Sequence, residues 1–153
     1  MNKQLYELFN YKDGDDKYKE YYGDGKLKSI SGSSDYKKNG CYLEYYRGGQ
    51  PFIITNYKDG KRNGCYKEYY ENGQVSRICN YTDGKKDGNY IHYHANGQPL
   101  IETYYLNDKM NGTYKEYHAN GQPFIETYRK DGEMHGTYRE YDRNGELVII
   151  DEY

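Results

Sequence analysis

Residues 113–136, TYKEYHANGQPFIETYRKDGEMHG, contain the signals that decide the fold. Asn120-Gly121 and Asp131-Gly132 are the dipeptides that favour two-residue type I′ hairpin turns. The residues around these dipeptides include Phe, Ile, Thr and Tyr, which are enriched in strands. This stretch therefore predicts a β-hairpin.

The same pattern recurs every 24 residues on both sides of this stretch. Counted from residue 17, repeat positions 2 and 5 are Tyr and position 9 is Gly in all six copies. A fixed period of this kind is typical of stacked structural repeats. The predicted units are a degenerate N-terminal half-repeat that acts as a cap, followed by six repeats. They span residues 1–16, 17–40, 41–64, 65–88, 89–112, 113–136 and 137–153.

The repeats predict an all-β fold, an elongated single-sheet antiparallel meander of tandem β-hairpins with about 13 strands. A two-residue turn at positions 8 and 9 would pair position 5 with position 12, and Gly at position 24 with position 17. The next turn would set Ile at position 13 beside Tyr at position 2. One face would then carry Tyr at positions 2 and 17. The pairs expected from the second turn are Ile53 with Tyr66, Ile101 with Tyr114, and Ile125 with Tyr138.

The amino-acid composition, taken alone, suggests a disordered chain and not a folded sheet. Of the 153 residues, 24 are Tyr, none is Trp, and only 21 are Leu, Ile, Val or Phe. So few large aliphatic residues lean toward disorder, although a net charge of -2 is not high. Because the tyrosines recur at fixed positions, we expect them to build the core instead. The start of the chain lacks a signal-peptide layout, so a cytoplasmic location is expected.

The recurring unit, Y-x-E-Y-x-x-N-G-Q followed by Y-x-D-G-x-x-x-G, resembles the MORN repeat, in the bacterial variant form found in antitoxin-like proteins. The resemblance covers residues 17–153. It implies a meander of β-hairpins and a role in protein contacts, scaffolding or, in some members, lipid contact. The chain departs from the pattern at position 2, which is often Trp in the family, and in the irregular stretch SISGSSDYKKNG.

No catalytic or metal site is predicted. His92, His94 and His118 are the best metal candidates, but equivalent positions in adjacent repeats would lie about 9.6 Å apart, too far for ligands of one zinc ion. We therefore interpret them as solvated surface side chains. The Glu row at position 4 does not supply a catalytic carboxylate pair, and phosphate-loop and nucleophile motifs are absent. We expect a non-enzymatic protein without a cofactor.

The Tyr and Glu rows are the candidate binding surface. Tyr offers a large contact area with few rotors to freeze, and a row of carboxylates would attract a basic partner. Alternatively, the glutamates form a solvated row whose negative charge is balanced by Lys and Arg side chains. The predicted partner-binding residues are Tyr66, Tyr90, Tyr114, Tyr138, Glu68 and Glu116.

Val148, Ile149 and Ile150 belong to the most apolar stretch of the chain and to its last predicted strand. An apolar edge strand is a template for strand addition, so this edge is expected to pair with a second copy or with another protein. A frayed or self-covered end is the alternative.

The sequence thus predicts a protein-binding repeat protein. The favoured role is an antitoxin-like or anti-defence inhibitor, for example an anti-CRISPR, that engages a toxin, a nuclease or a defence complex through a Tyr-rich sheet face. Two alternatives remain, a self-associating scaffold or membrane-surface adaptor, and a binder of single-stranded nucleic acid. The Glu beside most of the tyrosines would oppose phosphates in the last case.

Overall fold

The structure is a computed structural model that describes residues 17–34 and 37–153. The predicted cap, residues 1–16, lies outside the described residues. The elements are thirteen strands: β1 Lys17–Tyr21, β2 Leu27–Ser34, β3 Lys37–Tyr45, β4 Pro51–Lys58, β5 Lys61–Tyr69, β6 Val75–Thr82, β7 Lys85–Tyr93, β8 Pro99–Leu106, β9 Lys109–Met110, β10 Gly112–Tyr117, β11 Pro123–Lys130, β12 Glu133–Tyr141 and β13 Leu147–Glu152.

The strands form a single antiparallel sheet whose order follows the chain, with short β9 pairing beside β8. This confirms the predicted all-β, single-sheet meander of hairpin repeats. The sheet has one layer, so its apolar side chains can be buried only against neighbours on the same face.

The turns at positions 19 and 20 are the predicted two-residue type I′ turns. Asp59 and Gly60 both have positive φ, 51° and 80°, and the flanking Lys58 and Lys61 pair directly. This turn type needs positive φ at both central residues, which Asp and Gly tolerate. The prediction from the Asp-Gly dipeptides is confirmed.

The turns at positions 8 and 9 differ from the prediction of a two-residue loop. The amide of Tyr46 donates to the carbonyl of Gln50, and that of Gly49 donates to the carbonyl of Tyr46, each at 2.8 Å. Gly49 has φ 90°, so the loop is a three-residue hairpin loop with one left-handed glycine and a bulge. Tyr45 consequently pairs with Pro51, at position 11, and not with position 12.

The register after the Asp-Gly turns also differs from the prediction. Ile53 lies opposite Glu68, and Thr55 lies opposite Tyr66, so the predicted pairing of Ile53 with Tyr66 is wrong. The predicted partners Tyr114 and Tyr138 are wrong for the same reason. Between Thr55 and Tyr57 a bulge sets one residue of β4 against three of β5, which moves the register by two residues. Because the shift is even, each side chain stays on its predicted face.

We call the face that carries repeat positions 2, 4, 13, 15 and 17 the first face. Its core is a cluster of buried side chains, in which the tyrosines supply most of the volume. In the four repeats that have Tyr at both positions, the ring at position 2 meets the ring at position 17 edge-on, with centroids 5.6 Å apart for Tyr42 and Tyr57. The buried cluster comprises Tyr42, Ile53, Tyr66, Cys79, Tyr90 and Tyr105.

The opposite, second face changes character along the sheet. Its central row is apolar from β2 to β4, where Ile30, Leu43 and Ile54 are buried, and charged from β8 to β12. There Lys115 lies 3.0 Å from Glu126, and this contact holds the pKa of Glu126 below its usual range. The row, in order of pairing, is Lys19, Ile30, Leu43, Ile54, Lys67, Ile78, Ile91, Glu102, Lys115, Glu126, Arg139 and Ile150.

Candidate protein-binding face

An alternating row of acidic and mainly apolar side chains crosses the first face. Each member lies directly opposite the next on the neighbouring strand, so their side chains share one face. We call this set the acidic row: Glu20, Ser29, Glu44, Ile53, Glu68, Arg77, His92, Ile101, Glu116, Ile125, Glu140 and Ile149.

Tyrosine hydroxyls hold four of these carboxylates in place. The Tyr at position 2 donates to the Glu at position 4 of the same strand, because residues two apart on a strand share a face. Burial, and then the adjacent carboxylate, raise the pKa of these phenols, to about 12 for Tyr138. The bonds are Tyr42 to Glu44 at 2.9 Å, Tyr66 to Glu68 at 2.7 Å, Tyr114 to Glu116 at 2.8 Å and Tyr138 to Glu140 at 2.9 Å.

Ion pairs compensate only part of this row. Glu68 accepts from Arg77 at 3.2 Å, and Glu20 lies 3.8 Å from Lys28. Within residues 17–34 and 37–153, no Lys, Arg or His nitrogen lies within 4.0 Å of the carboxylates of Glu116 or Glu140. The C-terminal part of the row therefore carries carboxylates without a close counter-ion.

A second row on the first face consists of cations held over tyrosine rings. We call the tyrosines at positions 2 and 17 of one repeat a tyrosine pair. The position 22 cation of the preceding repeat lies over each of the first three pairs. The distances to the two ring centroids are 4.1 and 5.4 Å for Lys38, 5.1 and 5.5 Å for Arg62, and 5.3 and 4.8 Å for Lys86.

The next two repeats depart from this arrangement. Met110 replaces the position 22 cation, and Arg129, at position 17, lies 5.4 Å from the ring of Tyr114. In the last repeat both tyrosines are present, with the Tyr138 and Tyr153 centroids 6.3 Å apart, but position 22 of the preceding repeat is Met134. Sequence reasoning missed this row, although Lys or Arg at position 22 in three copies was a readable signal.

The predicted binding residues differ in how much of their surface is exposed to solvent. Tyr66 and Tyr90 are buried, with 5% and 9% of their surface exposed, and so form part of the core. Tyr114 and Tyr138 are half-buried, as are the two glutamates, Glu68 and Glu116. All six lie on the first face, and partner binding by them stays a prediction.

Two of the histidines form hydrogen bonds with main-chain carbonyls of the next repeat. The ring Nε2 of His94 lies 3.1 Å from the carbonyl of Tyr117, and that of His118 lies 3.1 Å from the carbonyl of Tyr141. A carbonyl only accepts, so Nε2 must donate. The interpretation of these two as solvated side chains was wrong, since both are half-buried and link adjacent repeats. The described residues contain no cluster of three or more metal-ligating side chains.

The outer strand β13 has one sheet neighbour, β12, among the described strands. Leu147, Val148, Ile149 and Ile150 are 52%, 61%, 40% and 57% exposed. This strand is therefore an exposed apolar edge of the kind that adds further strands.

The fold and this face define a class, the repeat proteins whose tandem β-hairpins build one continuous sheet. The family model of the MORN repeat variant matches residues 17–31, 38–59, 62–83, 86–107, 110–131 and 134–153. The chain belongs to this family. MORN repeats generally bind proteins or membranes, and proteins built from them are generally non-enzymatic. No curated protein matches the chain. In its described part, no helix is long and apolar enough to span a membrane.

Proposed function

We propose that this is a non-enzymatic binding protein whose first face engages a basic partner protein. The proposed role is that of an antitoxin-like or anti-defence inhibitor of a toxin, a nuclease or a defence complex. Membership of the MORN repeat variant family supports a binding role. The choice of a basic protein partner rests on the charge of the first face.

One observation carries the proposal. At its C-terminal end the first face presents Glu116 and Glu140, and Asp151 lies opposite Tyr138 on the same face. Arg129 is the cation held nearby, over the ring of Tyr114. Uncompensated carboxylates repel nucleic-acid phosphates and anionic lipids and attract Lys and Arg. The surface thus favours a basic protein over a membrane or a nucleic acid.

The first face is also suited to specific recognition. The hydroxyls of Tyr114 and Tyr138 fix the two carboxylates, so little side-chain freedom is lost on binding. Ile101 and Ile125 lie beside them in the acidic row and add apolar contact area. A nuclease binds its substrate through a basic surface, and an acidic face that covers such a surface would block the substrate.

The experiment compares two double variants with the same change in net charge. The product of a neighbouring gene is purified separately, and its affinity for the protein is measured by calorimetry at two salt concentrations. Glu116→Gln with Glu140→Gln keeps the side-chain shape and should weaken binding at least tenfold. Glu133→Gln with Glu146→Gln, at exposed positions next to the turns, should leave the affinity within about twofold.

Equal affinities for both variants would contradict the proposed face. If neither that gene product nor any protein purified with the chain from its host forms a stoichiometric complex, the proposed function is wrong.

The exposure of β13 favours a second, independent proposal, that two copies associate through this edge. Antiparallel pairing of two β13 strands about a two-fold axis would cover Val148 and Ile150 of both copies. Light scattering after gel filtration should give a dimer mass, which Val148→Lys with Ile150→Lys should halve. A monomer mass for the unchanged chain would contradict this proposal.

A further inference from the structure

We propose that Tyr138 and Tyr153 form an open cation–π site that accepts an arginine or lysine side chain of the partner protein. The inference rests on the proposed function only for the source of that cation. The site itself is recognised because the other tyrosine pairs of the chain hold a cation in the same place.

The four preceding repeats define what such a site holds. In three of them a Lys or Arg at position 22 of the repeat before lies over the tyrosine pair, at centroid distances between 4.1 and 5.5 Å. In the fourth, where position 22 is Met110, a cation is still present, because Arg129 takes the place of the second tyrosine. Each of these four repeats thus places one cation against its aromatic ring or rings.

The last repeat has the same rings in the same frame. The amide and carbonyl of Tyr153 pair with those of Gly136 at 3.0 and 2.7 Å, and Tyr57 pairs in the same way with Gly40. The Tyr138 and Tyr153 rings again meet edge-on, with an interplanar angle of 76°. Position 22 of the preceding repeat is Met134, which is 38% exposed, and Tyr153 is 60% exposed, so the rings are accessible from solvent.

The charges around the site favour a cation. Glu140 accepts the hydroxyl of Tyr138 at 2.9 Å, and Asp151 lies opposite Tyr138 on the neighbouring strand. Arg139 belongs to the second-face row, and Arg129 is held over Tyr114. Two acidic residues are therefore neighbours of Tyr138, and no cation of the described chain lies over the Tyr138 and Tyr153 rings. A guanidinium stacks on such rings and pairs with carboxylates, so arginine fits best.

The test uses the full chain and a small probe. The protein with isotopically labelled tyrosines is titrated with N-acetyl-arginine methylamide, and the ring resonances are followed by NMR. We expect saturable shifts at Tyr138 and Tyr153, with millimolar affinity, and none at Tyr90 and Tyr105, whose cation site Lys86 already fills. The neutral isostere N-acetyl-citrulline methylamide is the control probe and should bind at least fivefold more weakly.

Two variants make the assignment specific. Met134→Lys supplies the cation from position 22, as in the first three pairs, and should abolish probe binding, whereas Met134→Leu should not. Tyr153→Leu removes an exposed ring and should also abolish it. Equal binding of the citrulline probe, no shift at the two rings, or undiminished binding to Met134→Lys would each overturn the site.

The same variant separates the site from the proposed function. A partner complex that forms with unchanged affinity after Met134→Lys overturns the role of the site in partner binding and leaves the proposed function standing. If the probe binds but no partner complex forms, the cation–π site stands and the proposed function is overturned.

Discussion

The hydroxyl of Tyr70 donates a hydrogen bond of 2.6 Å to the main-chain carbonyl of Tyr93, 23 residues further along the chain. Tyr22 and Tyr46 make the same contact with Tyr45 and Tyr69. Position 6 thus joins each repeat to the next through a side chain. Asn72, Asn96 and Asn120 add a parallel series of bonds to carbonyls 23 residues ahead.

The first prediction concerns this link. Tyr70→Phe removes the donor and leaves the carbonyl of Tyr93 without it, so the free energy of unfolding should fall by about 1 kcal/mol. Tyr104→Phe, at an exposed tyrosine, is the matched control and should change it by less than about 0.5 kcal/mol. Urea denaturation followed by circular dichroism measures both. Equal losses would show that the hydroxyl of Tyr70 has no such role.

The second prediction uses the replacement of Tyr by His within the same series. Because His94 reaches the carbonyl of Tyr117 as Tyr70 reaches that of Tyr93, His94→Tyr should keep the stability of the protein. His94→Leu fills the space without a donor and should cost about 1 kcal/mol. A Tyr variant no more stable than the Leu variant in urea denaturation would contradict the equivalence.

The third prediction tests the register bulge. Gly88 has φ 114°, and a Cβ there would lie 3.3 Å from the side chain of Asn80. Gly88→Ala should therefore cost about 1–2 kcal/mol of unfolding free energy. Gly23 does not have positive φ and has open space around it, so Gly23→Ala should be neutral or slightly stabilising. Thermal unfolding of the pair would contradict the bulge if both variants behaved alike.

The fourth prediction tests the cations of the first face. Lys86 lies over the rings of Tyr90 and Tyr105, whereas Lys85 is exposed and makes no such contact among the described residues. Lys86→Met should lower the unfolding free energy by about 0.5–1 kcal/mol, and Lys85→Met should leave it unchanged. Denaturation at two salt concentrations measures the difference. A cost for Lys85→Met as large as that for Lys86→Met would argue against the cation–π contact.

The fifth prediction concerns alkaline pH. Burial, followed by the hydrogen bond to a carboxylate, raises the pKa of Tyr117 and of Tyr138 to about 12. An unfolded tyrosine ionises at a pH of about 10, so the unfolded chain loses these protons first. The stability from these groups is thus fully present below pH of about 10 and is lost as pH rises toward 12.

Tyrosinate absorbance and circular dichroism, recorded together against pH, measure this loss. We expect Tyr117 and Tyr138 to ionise only as the sheet unfolds. Ionisation of all tyrosines near their ordinary pKa, with the sheet intact, would contradict the burial of the first-face rings.

The sequence allowed the sheet, its strand order and the Asp-Gly turns to be predicted, because period and turn chemistry are local properties. The loop at Gly49 was predicted wrongly, since Asn-Gly and Gly-Gly also fit a longer loop with one left-handed residue. The bulge beside Gly64 was missed because it moves the register by two and leaves every face unchanged. Pattern alone therefore gave no sign of it.

Only part of the candidate binding face could be predicted from the sequence. The acidic row follows from position 4, but the burial of Tyr66 and Tyr90 depends on Thr55 and Cys79 in the adjacent strands, which is a matter of packing. The cation row was missed because it joins position 22 of one repeat to the two rings of the next, as Lys38 lies over Tyr42 and Tyr57.

The most direct test of the proposed binding face is carboxyl footprinting of the protein alone and in its purified partner complex. Glu116 and Glu140 lie on the first face, whereas Glu102 and Glu126 lie on the second face, and all four are half-buried. We expect the complex to protect Glu116 and Glu140 from carbodiimide labelling while Glu102 and Glu126 react as before. Protection of Glu102 and Glu126 with unchanged labelling of Glu116 and Glu140 would contradict it.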